Sequence, residues 1–138
     1  MTDTMRVAVI VNPELSRGLL ANTSSVIAIG LAARFPLLAG EQLVDAEGKT
    51  IDVSSKLPVP ILQATAGQIN DILQKALKST ESVAIVPFPA FARAMHSFEH
   101  YAQAFSQRSL SGETLDGLGL AGPDKWVNDL TRVMWTHH

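Results

Sequence analysis

One stretch of the chain has the residue types and the spacing of a zinc peptidase signature. The segment His96-Ser97-Phe98-Glu99-His100 fits the pattern H-x-x-E-H, in which two histidines one helical turn apart bind zinc and the glutamate acts as a base. Such a site needs a further ligand, and the one glutamate downstream, Glu113, lies in a Gly- and Ser-rich loop. An exposed helix face carrying His and Glu explains the same residues, so we expect no metal and no cofactor.

A second pattern is typical of dinucleotide sites. Residues 117–122 spell G-L-G-L-A-G, which fits G-x-G-x-x-G, but that fingerprint requires a strand before the first glycine and a helix that opens within the motif. The preceding S-G-E-T-L-D is polar and turn-like, and the predicted strand lies within the motif, at its leucines. The pattern favours a tightly packed strand whose glycines allow a helix to approach closely.

The first loop and the segment after it carry the polar groups of a possible binding site. No G-x-S-x-G elbow surrounds any of the serines. Asn22, Thr23 and Ser24 are candidate N-caps, and a helix that begins there offers free N–H groups and partial positive charge to a carboxylate, a phosphate or a polarised carbonyl. Capping alone also explains these residues. The predicted ligand-binding residues are Asn12, Ser16, Arg17, Asn22 and Ser25.

Apolar periodicity and turn residues predict alternating strands and helices. Predicted strands cover residues 5–11, 59–62, 82–86 and 118–121, with a hairpin from 42–44 and 50–53; predicted helices lie between about 22 and 35, after 65, over 90–107 and after 122. We expect one α/β domain over residues 1–138, a three-layer sandwich with a mostly parallel four-stranded sheet and a small hairpin appended to it.

Individual residues refine that prediction. Apolar residues surround most of the first helix, so we expect it to be largely buried. Pro60 predicts an edge strand or a strand start, and Thr65 is the predicted cap of the second helix. The aromatic residues are expected to lie in the core or at a dimer contact: Phe88, Phe91, Phe98, Tyr101 and Phe105.

The composition of the chain limits the classes of function that we expect. Among 138 residues, 46% are hydrophobic and 17% are charged, with a net charge of −2. The low charge predicts a partner that covers apolar surface, most simply a second copy in a homodimer. The absence of a basic field argues against a nucleic-acid partner. No apolar run approaches the roughly 18 residues of a membrane span, nothing resembles a signal peptide, and we expect a cytoplasmic location.

Three blocks of sequence carry a resemblance to a known family. They are V-I-V-N-P-E-L-S-R-G-L-L-A-N-T-S-S-V-I-A-I-G-L-A-A near the start, V-P-F-P in the third predicted core strand, and L-G-L-A-G-P-D-K-W-V-N-D-L-T near the end. Together they resemble the bacterial domain of unknown function DUF2000, from about Met5 to Trp135. That family is similar in fold to type II peptidyl-tRNA hydrolases, so the resemblance implies the same fold here.

The resemblance does not imply the hydrolase activity. Anchored on Leu15 and Gly18, the positions of the enzymes' two lysines, glutamine and histidine hold uncharged or shorter side chains: Leu19, Ala21, Ser25 and Ala28. A mechanism that relies on a lysine to polarise an ester would fail without it. We expect a small-ligand- or partner-binding domain. The alternative is a divergent hydrolase of an ester or amide at the first loop, and RNA binding without catalysis is a third, weaker hypothesis.

Overall fold

The computed structural model describes residues 4–135. Its strands are β1 Met5–Val11, β2 Gln42–Val44, β3 Thr50–Asp52, β4 Ile61–Gln63, β5 Ala84–Pro89 and β6 Leu115–Pro123, and its helices are α1 Arg17–Arg34, α2 Ala66–Ala76, α3 Phe98–Ser106 and α4 Asp124–Trp135. Short 3-10 helices cover Pro36–Leu38, Ala90–Ala94 and Leu110–Gly112. The predicted order of strands and helices is confirmed.

The main sheet has the strand order β4-β1-β6-β5. β1 and β4 are parallel, whereas β6 runs antiparallel to both of its neighbours, so the sheet is mixed rather than mostly parallel as predicted. The reason lies in the connection from Ala90 to Thr114. Pro89 pairs with Leu115, so β6 begins at the end of the sheet where β5 stops. Each residue of α3 keeps some exposure, and this helix does not serve as a buried crossover.

Two layers of helix enclose the sheet, as predicted. On one face, α1 places Ile27 and Leu31 against Val7, Val9 and Ala121. On the other face, α2 and α4 supply the apolar side chains that cover the sheet: Ile69, Ile72, Leu73, Ala76 and Val127. Burial of these side chains is the main stabilising contribution to the fold.

Two glycines of β6, Gly117 and Gly119, lie against α1. A Cβ atom added to Gly117 would lie 2.8 Å from Thr23 Cγ2, and one added to Gly119 would overlap Ile27. Helix α4 opens only at Asp124, beyond the last glycine of the motif. The interpretation as a tightly packed strand is therefore confirmed, because the glycines serve helix packing within a strand and not a phosphate-binding turn.

Helix α1 differs from its prediction at its start and in its burial. It begins at Arg17 with Ser16 as N-cap, whose Oγ accepts a hydrogen bond from Leu19 N at 3.3 Å. The predicted start near Asn22 is wrong, since an earlier serine satisfies the same capping requirement. The predicted burial is also wrong, because Ile29 is 70% exposed. The predicted end at Phe35 is confirmed.

The hairpin and the two edge strands complete the architecture. The predicted hairpin strands are confirmed, but β2 and β3 form a separate sheet with both strands exposed. β4 begins after Pro60 at one edge, as expected. β5 forms the other edge and contains Pro87 and Pro89, which lack the N–H groups that a further strand would need.

Two further observations concern the helices. The predicted cap of α2 is confirmed as a capping box, with Thr65 Oγ1 accepting from Gln68 N and Gln68 Oε1 accepting from Thr65 N. Of the helices within residues 4–135, none combines the length and the apolar character that a membrane crossing requires.

Candidate functional site

A cleft of about 440 Å³ opens between α1, β5 and the segment that leads into α3. Its volume falls within the range of about 300–1,000 Å³ that is typical of small-molecule sites. The side chains that line it are mainly apolar and aromatic: Val26, Ile27, Val86, Pro87, Phe88, Ala92, Met95, His96, Ser97, Phe98 and Tyr101. We refer to this feature as the cleft.

The segment Met95–Ser97 breaks the predicted helix over residues 90–107 and shapes one wall of the cleft. The backbone is extended at Met95 and at Ser97, between the end of the 3-10 helix and the start of α3. Ser97 Oγ then accepts a hydrogen bond from His100 N at 3.2 Å and caps α3. The predicted continuous helix over residues 90–107 is therefore wrong, and the break brings Met95 and Phe98 to the cleft.

An ion pair between Arg93 and the buried carboxylate of Asp116 attaches this wall to the sheet. Arg93 donates to both carboxylate oxygens of Asp116, from Nε at 2.6 Å and from Nη2 at 2.5 Å. The Asp116 side chain is 1% exposed and that of Arg93 is 41% exposed. The hydrogen bond to Asp116 raises the pKa of Arg93. Because Asp116 O also accepts from Asn12 N at 3.0 Å, the pair links the 3-10 helix to the ends of both β6 and β1.

An aromatic stack supports α3. The ring of Tyr101 stacks on that of Phe91, with centroids 5.6 Å apart, and makes a tilted contact with that of Phe105 at 5.8 Å. The guanidinium carbon of Arg108 lies 4.2 Å from the Phe91 centroid. Burial raises the pKa of the Tyr101 hydroxyl, so this group stays neutral near pH 7. The sequence predicts these aromatic residues in the core or at a dimer contact; the core placement does not hold for α3, since each of its residues keeps some exposure, and the dimer contact stays a prediction.

The predicted ligand-binding residues lie at two places along α1. Asn12 Oδ1 accepts from Glu14 N at 3.0 Å, Ser16 caps the helix, and Arg17 is its exposed first residue; these three lie near the helix start. Asn22 and Ser25 lie within the helix, where backbone N–H groups are already bonded. The binding role of these five residues stays a prediction.

Asn22 and Ser25 lie close to the cleft along α1 but do not line it. Ser25 Oγ donates to Ala21 O at 2.8 Å. Asn22 lies one helical turn before Val26, which does line the cleft. A ligand in the cleft would therefore lie beside Ser25, but about two and a half helical turns beyond Arg17 at the helix start.

The histidine pattern does not have the geometry of a metal site. Helix α3 begins at Phe98, so His96 precedes the helix and does not lie one turn from His100 on a shared face. Within residues 4–135, no group of three or more His, Asp or Glu side chains is placed to hold a metal ion. His96 instead lines the cleft.

Comparison with known proteins identifies the family. Residues 5–138 match the family described as "Protein of unknown function (DUF2000)". The chain belongs to the DUF2000 family. A solved structure of the protein of unknown function Atu0240 from Agrobacterium tumefaciens strain C58 has a TM-score of 0.84 and 21% sequence identity, with 96% of each chain covered. At that identity, the likeness shows the fold alone. None of the curated proteins matches the chain.

Sequence reasoning missed the two features that define the cleft in this DUF2000 protein. The partners of the ion pair, Arg93 and Asp116, lie 23 positions apart, and no local pattern connects them. The break at Met95–Ser97 had a signal in Ser97, which is a favourable N-cap one position before an apolar residue. The resemblance to type II peptidyl-tRNA hydrolases stays a prediction.

Proposed function

We propose that this DUF2000 protein binds a small molecule in the cleft between α1 and α3. The observation that carries the proposal is the cleft itself, with about 440 Å³ of space and a mainly apolar lining. Sites for small molecules are typically concave and apolar, with a few polar groups that orient the ligand. Here His96, Ser97 and Tyr101 supply those groups.

The way in which the cleft is built supports a role in binding. Its far wall is attached to the sheet through the bidentate Arg93–Asp116 pair, and Tyr101 is held by its stack on Phe91. A site whose walls are fixed before binding loses less conformational entropy when the ligand arrives. The walls are therefore arranged as expected for a preformed site.

A fragment screen followed by protein NMR tests the proposal. We expect fragments to shift the amide resonances of the cleft residues, and Val26→Trp to abolish binding by filling the space. Ile29→Trp is the matched control, because Ile29 lies on the same helix and does not line the cleft. Fragments that shift only Asn12, Ser16 and Arg17 would move the site to the start of α1, and the absence of any binding would overturn the proposal.

The alternative of a divergent ester or amide hydrolase receives less support from the geometry. The hydroxyl groups of Ser24 and Ser25 donate to backbone carbonyls of the preceding turn, at 3.0 Å and 2.8 Å, and not to a general base. The resemblance to type II peptidyl-tRNA hydrolases also implies that Leu19 and Ala21 stand where those enzymes have lysines. We expect no turnover of labelled peptidyl-tRNA above background, and turnover comparable to that of a true hydrolase would contradict this.

A further inference from the structure

The two outer walls of the cleft expose large apolar side chains. Val26 on α1 is 36% exposed and Phe98 on α3 is 79% exposed, and both line the cleft. Removing such apolar surface from water favours binding. A ligand that lies between these two side chains would gain from contact with both walls, so its central part should be apolar.

In the part of the chain that the structure describes, the lining of the cleft lacks the charged side chains that would bind a charged ligand. Among the described residues that line it, none is Asp, Glu, Lys or Arg. The guanidinium of Arg93 is already bonded to Asp116 through two nitrogens. At the start of α3, Ser97 caps the helix and Glu99 places a carboxylate in the first turn, which opposes a second anion there. Apart from the imidazole of His96, the described lining therefore offers no partner able to carry a charge at pH 7 for a charge buried in the cleft, and burying an unpaired charge is costly.

The chemical nature of the lining favours a planar ring. Phe88, Phe98 and Tyr101 present aromatic side chains, and Met95 adds a polarisable thioether. Aromatic rings and methionine sulfur both make favourable contacts with the faces and edges of other rings. The neutral Tyr101 hydroxyl, whose pKa is raised by burial, and the Ser97 hydroxyl are each able to form a hydrogen bond with an uncharged polar group.

We propose that the cleft takes an uncharged molecule with a planar ring system, which lies between Val26 and Phe98 and carries a hydrogen-bonding group within reach of His96, Ser97 and Tyr101. This inference rests on the proposed function and adds the chemical class of the ligand.

A series of probes that share one ring system tests the inference. The probes are 2-naphthylmethanol, 2-naphthoate and 2-naphthylmethylammonium, which differ mainly in charge, and the saturated decahydro-2-naphthylmethanol, which lacks the planar ring. Affinities are measured at pH 7 by titration, with the site mapped from amide shifts. We expect the aromatic alcohol to bind about tenfold more tightly than either ion and than the saturated alcohol.

Variants localise the effect. Phe98 is highly exposed, so Phe98→Ala should fold normally and weaken the aromatic alcohol by about fivefold or more. Leu77→Ala is the control, because Leu77 is also an exposed apolar residue, 50% exposed at the end of α2, and does not line the cleft. Equal binding by both variants would contradict a role for Phe98.

The outcomes separate this inference from the proposed function. If screened fragments occupy the cleft but the ions bind as tightly as the aromatic alcohol, the inference of an uncharged ligand is overturned and the proposed function stands. Equal binding of the saturated alcohol overturns the planar ring. Probe affinity that falls as protein concentration rises would show that a second copy fills the cleft, against the inference. Failure of every probe and fragment would overturn both proposals.

Discussion

Replacing Arg93 by alanine tests whether its ion pair with Asp116 holds the wall of the cleft. The change leaves a carboxylate that is 1% exposed without its cation. Removing one partner of a buried pair costs about 3–5 kcal/mol. Because Arg93 is 41% exposed, water can enter the vacated space and solvate the carboxylate in part. We therefore expect the free energy of unfolding to fall by about 2–3 kcal/mol at neutral pH.

The pH dependence of this loss has a definite sign. The pKa of Arg93 is raised by its hydrogen bond to Asp116, so its contribution is present below the unfolded pKa and is lost only as pH rises through the folded value. That window lies far above neutral pH, and the native pair keeps its arginine charged in ordinary buffers.

Urea unfolding followed by circular dichroism at neutral pH measures the loss of stability in Arg93→Ala. Arg132→Ala is the matched control, since the Arg132–Asp129 pair at 2.9 Å is largely exposed and should contribute little to stability. Adding Asp116→Asn to Arg93→Ala should restore part of the lost stability. If Arg93→Ala costs no more than Arg132→Ala, or if the double variant is less stable than Arg93→Ala, the reasoning from a buried charge is refuted.

Three further predictions address packing, titration and assembly. Gly119→Ala should cost about 2 kcal/mol in denaturant unfolding because its Cβ overlaps Ile27, whereas Gly67→Ala, which has open space, should change stability by less than about 1 kcal/mol. Tyr101 is the one tyrosine, and its raised pKa predicts stability that is present below about pH 10 and is lost as pH rises through the folded value; tyrosinate absorbance and unfolding of Tyr101→Phe check this. The homodimer stays a prediction, which light scattering in line with chromatography checks. If the dimer uses the exposed hairpin, Leu43→Ser should release monomers, and a monomeric native protein would contradict the prediction.

The parts of the fold that depend on neighbouring residues were predictable. Thr65 and Gln68 are three positions apart and form the capping box that such spacing favours. The hairpin turns at Gly48, whose φ of 83° suits glycine. Phe35 ends α1 because Pro36 follows it. In each case the residues that decide the structure contact each other locally, and the pattern is visible in the sequence.

The features that depend on distant contacts were not predictable. The direction of β6 follows from the pairing of Pro89 with Leu115, which no local periodicity specifies. Several polar residues satisfy the rules for capping α1, and the sequence alone does not show that Ser16 is the one used. The cleft depends on the helix break at Met95–Ser97 and on the ion pair between Arg93 and Asp116, which lie 23 positions apart. The candidate site could therefore only be recognised from the structure.

The two walls of the cleft differ in how freely they can change during evolution. On one side, α1 interlocks with glycines of β6, so a larger residue at Gly117 or Gly119 would displace the helix. On the other side, the connection from Ala90 to Thr114 leaves and rejoins the sheet at paired positions, Pro89 and Leu115. An insertion or deletion in it need not alter the strand register, as is usual for surface connections. We therefore expect relatives that keep this sheet to enclose clefts of different size and ligand preference.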